Sequence, residues 1–351
     1  MEKSKRIFYF DALRALAIMC VMLTHIYALT YYPLRGQYAI LSSGWIATQI
    51  IGNPFRLGVV LFLMLSGALL LGRDEDIRTF LKKRIPRIAI PFIFWNAVLL
   101  TIFISSSYFL NSNYIQSFDL QSILNYIYTS LLGKNTGFGP NWYFWMILGT
   151  YLILPIFNKW IRHSSMREVE YFLVIWLITA LFDFTIMKEF PIMLTYFSGP
   201  IGFIVLGYYL RYTERPIFKN KKFILLLTLV PACILLINSY VLSSPTHMEY
   251  PHRYSLWISL EVAGIFLLFK NAKFNIRENG IVRKIITSIA QYSYGIYLFH
   301  YSILLLIIKN LQNYNQPIYI CILFTSTLVS SVLIMSILNR IPYLNQVIGA
   351  K

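Results

Sequence analysis

Three ionisable residues, Asp11, Arg14 and His25, stand inside the first long apolar stretch of the chain, FDALRALAIMCVMLTH. Eleven positions separate Arg14 from His25. On an α-helix that is about 16 Å of rise and about three turns, which leaves the two side chains within about 20° of one face. Asp11 lies one turn before Arg14 on nearly the same face. An ionised side chain at membrane depth costs about 2.5 to 3.5 kcal/mol on insertion scales, so such residues normally face a polar cavity inside a helix bundle. The segment therefore carries a polar stripe that starts near one membrane surface and ends in an imidazole, a group that takes up and returns a proton near neutral pH. The structural alternative for the same residues is an Asp11–Arg14 pair that ties helices together, plus a histidine satisfied by hydrogen bonds.

The elements that must position these residues are set by composition. With 351 residues, 57% hydrophobic and only 13% charged, the chain is too apolar to fold around one soluble core. Apolar stretches of about spanning length fall at 8–30, 45–71, 88–108, 142–161, 169–187, 191–210, 223–242, 254–269, 285–308 and 318–338. The expected fold is all-α: a polytopic bundle of about ten transmembrane helices forming one domain over 1–351, with no internal repeat. Lys and Arg concentrate in alternate loops: Lys3, Lys5 and Arg6, then 73–87, 159–167, 211–222 and 270–284, then Arg340 and Lys351. Only Arg35, Lys134, Lys188, Arg253 and Lys309 fall in the others. By the positive-inside rule both termini are expected in the cytoplasm, with the chain in the cell membrane. The formal charge of +17 then reflects topology and attraction to anionic lipid, not nucleic acid. The first apolar stretch is too long for a cleavable signal and lacks a small-residue cleavage site. Cys20, Cys233 and Cys321 match neither a disulfide framework nor a zinc site, and no metal is expected.

One long loop, 109–141, contains Leu120, Ile123, Leu124, Ile127, Tyr128, Leu131 and Leu132 at helical spacing, after Asp119 as N-cap and before Gly133. This predicts an amphipathic helix on the outer membrane face, either a roof over a substrate groove or a plain anchor. In the basic stretch around 78–87, Arg84 and Arg87 stand at i,i+3 on one side of a helix start. Two guanidinium groups so placed suit phosphate oxygens, and positive-inside bias is the competing explanation.

With these residues in hand, the chain resembles the acyltransferase 3 family of membrane proteins, which O-acylate sugars of the cell envelope. The resemblance runs along nearly the whole chain, in order: FDALRALAIMCVMLTH with Arg14 and His25; LGVVLFLMLSGALLL with Ser66 and Gly67; FLKKRIPRIAIPFIFW with Arg84 and Arg87; NWYFWMILGTYLILP with Trp142, Tyr143 and Pro155; and SYGIYLFH with Ser293, Tyr294, Gly295, Tyr297 and His300. One position departs from the pattern. Two residues before the Trp of the fourth motif many relatives carry a His, where this chain has Pro140, so either Asn141 substitutes or that His is dispensable. No appended hydrolase-like domain is visible, which is similar to the stand-alone members that acetylate precursors of surface polysaccharides.

The resemblance implies an acyl-CoA donor, most simply acetyl-CoA with succinyl transfer as the alternative, and an envelope glycan or lipid-linked glycan as acceptor. It implies that Arg14 and His25 are catalytic. Arg84 and Arg87, with Arg14, would hold the donor's phosphates, and Asp11 would orient Arg14. His25 would act as general base on a sugar hydroxyl. A two-step relay through His25, Ser293 or a tyrosine is the alternative. Trp142 and Tyr143 suit stacking on a sugar, against the ordinary aromatic belt as their other role. Glu261 and Asp183 are further acidic residues in apolar surroundings, and Glu261 is expected to pair with His300 or Arg56. Glu261, Ser293, Tyr297 and His300 complete the candidate acceptor-binding set. A non-enzymatic glycan exporter is the competing class, although no inverted repeat supports it. Nothing in the sequence speaks to oligomeric state.

Overall fold

A computed structural model describes residues 7–30, 42–109, 117–135, 141–188, 198–242, 252–274, 280–310 and 316–350, with a few isolated positions between. Lys3, Lys5, Arg6, Arg35, Pro140, Pro191 and Lys351 lie outside the described residues. Every regular element among the described residues is helical: α1 (Phe8–Thr30), α2 (Ser43–Gly52), α3 (Gly58–Leu70), α4 (Ile77–Phe109), α5 (Leu120–Leu131), α6 (Trp142–His163), α7 (Met166–Leu181), α8 (Pro200–Tyr212), α9 (Lys221–Leu242), α10 (Leu256–Asn271), α11 (Ile281–Asn310), α12 (Gln316–Leu338) and the short α13 (Leu344–Val347). A π-helical turn, Phe182–Ile186, extends α7, and a 3-10 turn, Pro216–Lys219, precedes α9.

Seven helices among the described residues are long and apolar enough to cross a membrane: α1, α4, α6, α7 with its π turn, α9, α11 and α12. The other three expected spans are shorter. Helices α8 and α10 have 13 and 16 residues, about 20 and 24 Å against a hydrocarbon core of about 30 Å. The expected second span is broken into α2 and α3. The break follows from the sequence GNPFRLG, because Pro54 has no N–H to donate and cannot continue the helical hydrogen-bond ladder. Asn53 and Gln49 are both buried, and the Asn53 amide donates to Gln49 Oε1 at 2.9 Å.

By backbone proximity the chain divides into two compact units, each assembled from separate stretches: 1–74, 156–290 and 315–321 in the first, and 75–155, 291–314 and 322–351 in the second. Helices α6, α11 and α12 each contribute to both.

In the first unit α3 packs chiefly on α8 and α1, and α10 packs chiefly on α9. The α3–α8 contact is backbone against backbone. A Cβ on Gly67 would overlap the Ile204 carbonyl, and one on Gly207 would overlap the Met64 carbonyl. Small residues at such crossings are how helices approach in lipid, where no hydrophobic force separates them from the solvent. Gly58 similarly meets Ala17 and Val21 of α1, and Gly52 meets the Tyr27 ring. These two contacts fix the register of the broken segment, which passes α1 between Val21 and Tyr27. At one end of the unit, Asn158 of α6 ties the turn after α3, accepting from Gly72 N at 2.8 Å and donating to Arg73 O at 2.8 Å. At that same end Arg215 grips Glu170 of α7 at 2.9 and 2.7 Å, and Tyr209 of α8 donates to the same carboxylate.

In the second unit, Trp95 of α4 stacks on Phe299 of α11 with ring centres 4.3 Å apart, and its indole N–H donates to the Ile348 carbonyl at 3.1 Å. Tyr294 donates to the Ile88 carbonyl at 2.7 Å. Gly295 lies against Met335 of α12 and the Ile348 carbonyl, leaving no room for a side chain. Asp119 caps α5 through Ser122 N at 2.9 Å, and Gly133, with φ +71°, ends that segment, as the sequence pattern predicts.

The α3–α8 contact yields a test. Gly67→Val should destabilise the protein by at least about 1 to 3 kcal/mol, the usual cost of overpacking, because the obstacle is a backbone carbonyl that cannot swing aside. Thermal unfolding in detergent, compared with a Val329→Ala control at an exposed position, reads this out.

Candidate active site

The first unit presents the stripe on α1. Asp11 and Arg14 form an ion pair, Oδ1 to Nη1 at 3.3 Å, in which the carboxylate side chain is 2% exposed and the arginine 34%. The i,i+3 spacing makes this contact local, so α1 carries a compensated charge pair wherever its first turns are placed. His25 is half-buried on the same face. With 100° per residue, Asp11, Arg14, Ile18, Met22 and His25 lie within about 80° of one another. Ile18 and Met22 are fully buried, so the polar groups at the two ends of the face are separated by packed side chains.

The broken second span adds Arg56, which sequence reasoning offers only as a partner for Glu261. Because Gly58 packs on Ala17 and Val21 and Gly52 packs on Tyr27, the turn holding half-buried Arg56 lies alongside α1 at the depth of His25. Irregular backbone at membrane depth is tolerated where it is enclosed by protein or lines a cavity. The Gly-Asn-Pro sequence was the available signal, since Asn-Pro punctuates a helix.

Glu261 of α10 is 3% exposed and makes no ion pair or hydrogen bond with any described residue; its Oε2 is a buried oxygen without a partner among them. The expected pairing with Arg56 is not formed. Its electrostatic neighbour is Cys20 of α1. Cys20 lies about 140° around α1 from His25, so Glu261 approaches α1 from another side.

A further cluster stands where α7 ends and α10 begins. The π turn aims Phe184 at His252, the rings parallel within 9° and 4.4 Å apart, and Tyr254 meets both edge-on. Thr185 accepts from Leu256 N at 2.8 Å and so joins the π turn to the start of α10. Burial, then the cations of Arg253 and Arg56, push His252 below the ordinary histidine value.

In the second unit, Arg84 is half-buried and Arg87 exposed, one turn apart on α4 between the basic start of the helix and Pro91. Ser293, Tyr297 and His300 share one face of α11 at i, i+4 and i+7, and all three are buried. Tyr297 meets Tyr143 of α6 with ring centres 4.8 Å apart. His300 is fully buried, and its Nδ1 lies 2.9 Å from the Ile296 carbonyl and 3.0 Å from the Tyr297 carbonyl. Two carbonyl acceptors assign the proton to Nδ1 in neutral imidazole, which leaves Nε2 as the nitrogen that accepts. Trp142 is half-buried at the start of α6, its ring edge-on to Tyr143.

Asn141 has a structural task. Its amide donates to Asn96 Oδ1 on α4 at 2.7 Å and to the Ser130 carbonyl of α5 at 2.9 Å, so one buried side chain fastens α4, α5 and the start of α6. Both bonds come from the amide nitrogen, a group that donates and does not accept.

Among the described residues no three His, Cys, Asp or Glu side chains gather as a metal site. A family model described as an acyltransferase domain, of the acyltransferase 3 type, matches residues 7–336. No curated protein and no solved structure matches the chain.

Two expectations follow. Asn141→Ala strands the Asn96 and Ser130 acceptors and should cost about 1 to 3 kcal/mol of stability, measured by thermal or denaturant unfolding, while Asn141→Ser should recover part of it. Since the folded state holds His252 below its unfolded value, its contribution to stability is complete above about pH 6.5 and lost as pH falls through the folded value. The unfolding midpoint should drop between pH 7.5 and 5.5, and His252→Phe, which keeps the stack on Phe184, should flatten that dependence.

Proposed function

The chain belongs to the acyltransferase 3 family and is a multi-pass membrane acyltransferase, and from that premise we propose that it transfers a small acyl group, acetyl in the first instance, from acyl-CoA to a hydroxyl of a cell-envelope glycan or its lipid-linked precursor. The observation that carries this reading is the α1 face, where a compensated Asp11–Arg14 pair and a half-buried imidazole align in an otherwise apolar helix.

His25 takes the proton of the acceptor hydroxyl as its oxygen attacks the thioester carbonyl. The C–O bond forms and the carbonyl π pair moves onto oxygen. Arg56, at the same depth, stabilises that developing negative charge, a task for which a fixed cation in a water-poor site is effective. When the intermediate collapses, the C–S bond breaks and the imidazolium returns its proton to the departing thiolate, giving the ester and free CoA. Arg14, held by Asp11, faces the donor's phosphates. Arg84 and Arg87 are the second unit's candidates for the same chemistry, and bidentate guanidinium contacts suit phosphate oxygens. Trp142, Tyr143, Ser293, Tyr297 and His300 are assigned to the acceptor: aromatic faces for a sugar ring and an imidazole Nε2 that accepts from a hydroxyl. Glu261 is a second buried acidic group for the acceptor side.

Comparison of envelope polysaccharide masses from strains with and without the gene is the decisive measurement. The expected result is glycan present at normal abundance but lighter by one acyl group per modified residue. Loss of the glycan altogether points to export and overturns the enzymatic reading. Complementation with His25→Ala should leave the glycan unacylated while the protein accumulates folded in the membrane. Acylation retained by that variant removes His25 from the mechanism.

A further inference from the structure

Three arginines of the first unit have carboxylate partners among the described residues. Arg14 is paired with Asp11, Arg162 with Asp74 at 2.7 Å, and Arg215 with both oxygens of Glu170. Arg211, in the last turn of α8, is half-buried and makes no ion pair with any described residue. One N–H, on Nη1, donates to the Ala68 carbonyl near the end of α3. The guanidinium lies over the Phe10 ring at 5.1 Å and over the Tyr212 ring at 4.9 Å. A helix-end carbonyl needs one donor, and a guanidinium has five. The remaining N–H groups have no partner among the described residues. The aromatic rings hold the group in place without cancelling its charge.

Its position is fixed relative to the site. Phe10 and Arg14 are i,i+4 on α1, about 40° apart in azimuth and about 6 Å in rise. Arg211 over Phe10 therefore stands about one turn before Arg14 along the same face that continues to His25. Other ionisable groups lie nearby. Lys270 of α10 donates to the Leu210 carbonyl at 2.7 Å and the Thr213 carbonyl at 3.3 Å, next to Arg211 in sequence, and both Lys219 and Glu214 act on it. Tyr9 also lies within reach of the Arg211 charge. Arg211 is thus a half-buried guanidinium with no counter-ion among the described residues. A cation in that condition gains most from an anion with several oxygens, and phosphate offers bidentate geometry.

We propose that Arg211 is a phosphate-binding residue of the donor site, acting with Arg14 to hold the nucleotide-bearing end of the acyl thioester. This deepens the acyl-CoA reading above and rests on it.

The test is calorimetric titration of the full chain in lipid nanodiscs with CoA and, separately, with pantetheine, which has the thiol arm and no phosphates. Arg211→Gln should weaken CoA binding by about tenfold or more and leave pantetheine binding unchanged, and Arg211→Lys should fall between. Equal losses for both ligands would show that Arg211 only props α3, and CoA binding unaltered by Arg211→Gln would overturn the proposal with the acyl-CoA reading intact. Wild-type protein that binds no CoA would overturn both. Should Arg211→Gln fail to fold, Arg211→Lys decides alone: a selective loss of CoA affinity that grows with added salt supports the site, and an unchanged CoA-to-pantetheine ratio rejects it.

Discussion

A charge taken out of water must be compensated where it lands, and in a chain that is 57% hydrophobic this condition governs what the polar residues can be. The Asp11–Arg14 pair is the case on which the rest depends. Spaced at i,i+3, the two side chains find each other within one helix, so α1 can carry a guanidinium at depth without waiting for another element to supply a counter-ion. The remaining exposure of Arg14 is then available to a ligand. Glu261 shows the opposite condition: it is buried, and its Oε2 has no hydrogen-bond partner among the described residues.

Packing follows from the same setting. Lipid tails are as apolar as leucine, so helices gain from association only through close contact and polar ties. Gly67 and Gly207 let α3 and α8 touch along their backbones, and Gly295 does the corresponding service against α12 and Ile348. Two motifs that carry the family resemblance, Ser66-Gly67 and Ser293-Tyr294-Gly295, thus contain two glycines retained for space and one tyrosine that ties α11 to α4. Polar ties fall at helix ends, where carbonyls lack intrahelical partners: Asn158, Asn141, Arg211 and Lys270 each bridge such an end to another segment.

Much of this was legible in the residues. Hydropathy located the seven helices among the described residues that are long enough to span, because a 20-residue apolar run has few other solutions. The amphipathic α5 was readable with its cap and stop, since Asp119 and Gly133 act locally. The averaged hydropathy of 45–71 stays high across the break between α2 and α3 and hides it, although Asn53-Pro54 marks it. The neutral tautomer of His300 was beyond reach, as it depends on which carbonyls lie near Nδ1. By sequence Arg211 is one more loop charge, for nothing in GFIVLGYYLRY reveals that Phe10, about two hundred positions earlier, will lie beneath it.

The threading of α6, α11 and α12 through both compact units has a consequence for biogenesis. Residues 75–155 are synthesised well before 291–314 and 322–350, with which they share a unit. Helix α4 and most of α6 must therefore wait in the bilayer with part of their eventual interface facing lipid, while more than a hundred further residues leave the ribosome. Non-local closure of this kind is slow and leaves partly assembled helices open to mispairing. Quality-control proteases and insertion chaperones would meet the protein at this waiting stage, before the late helices have arrived to close the second unit.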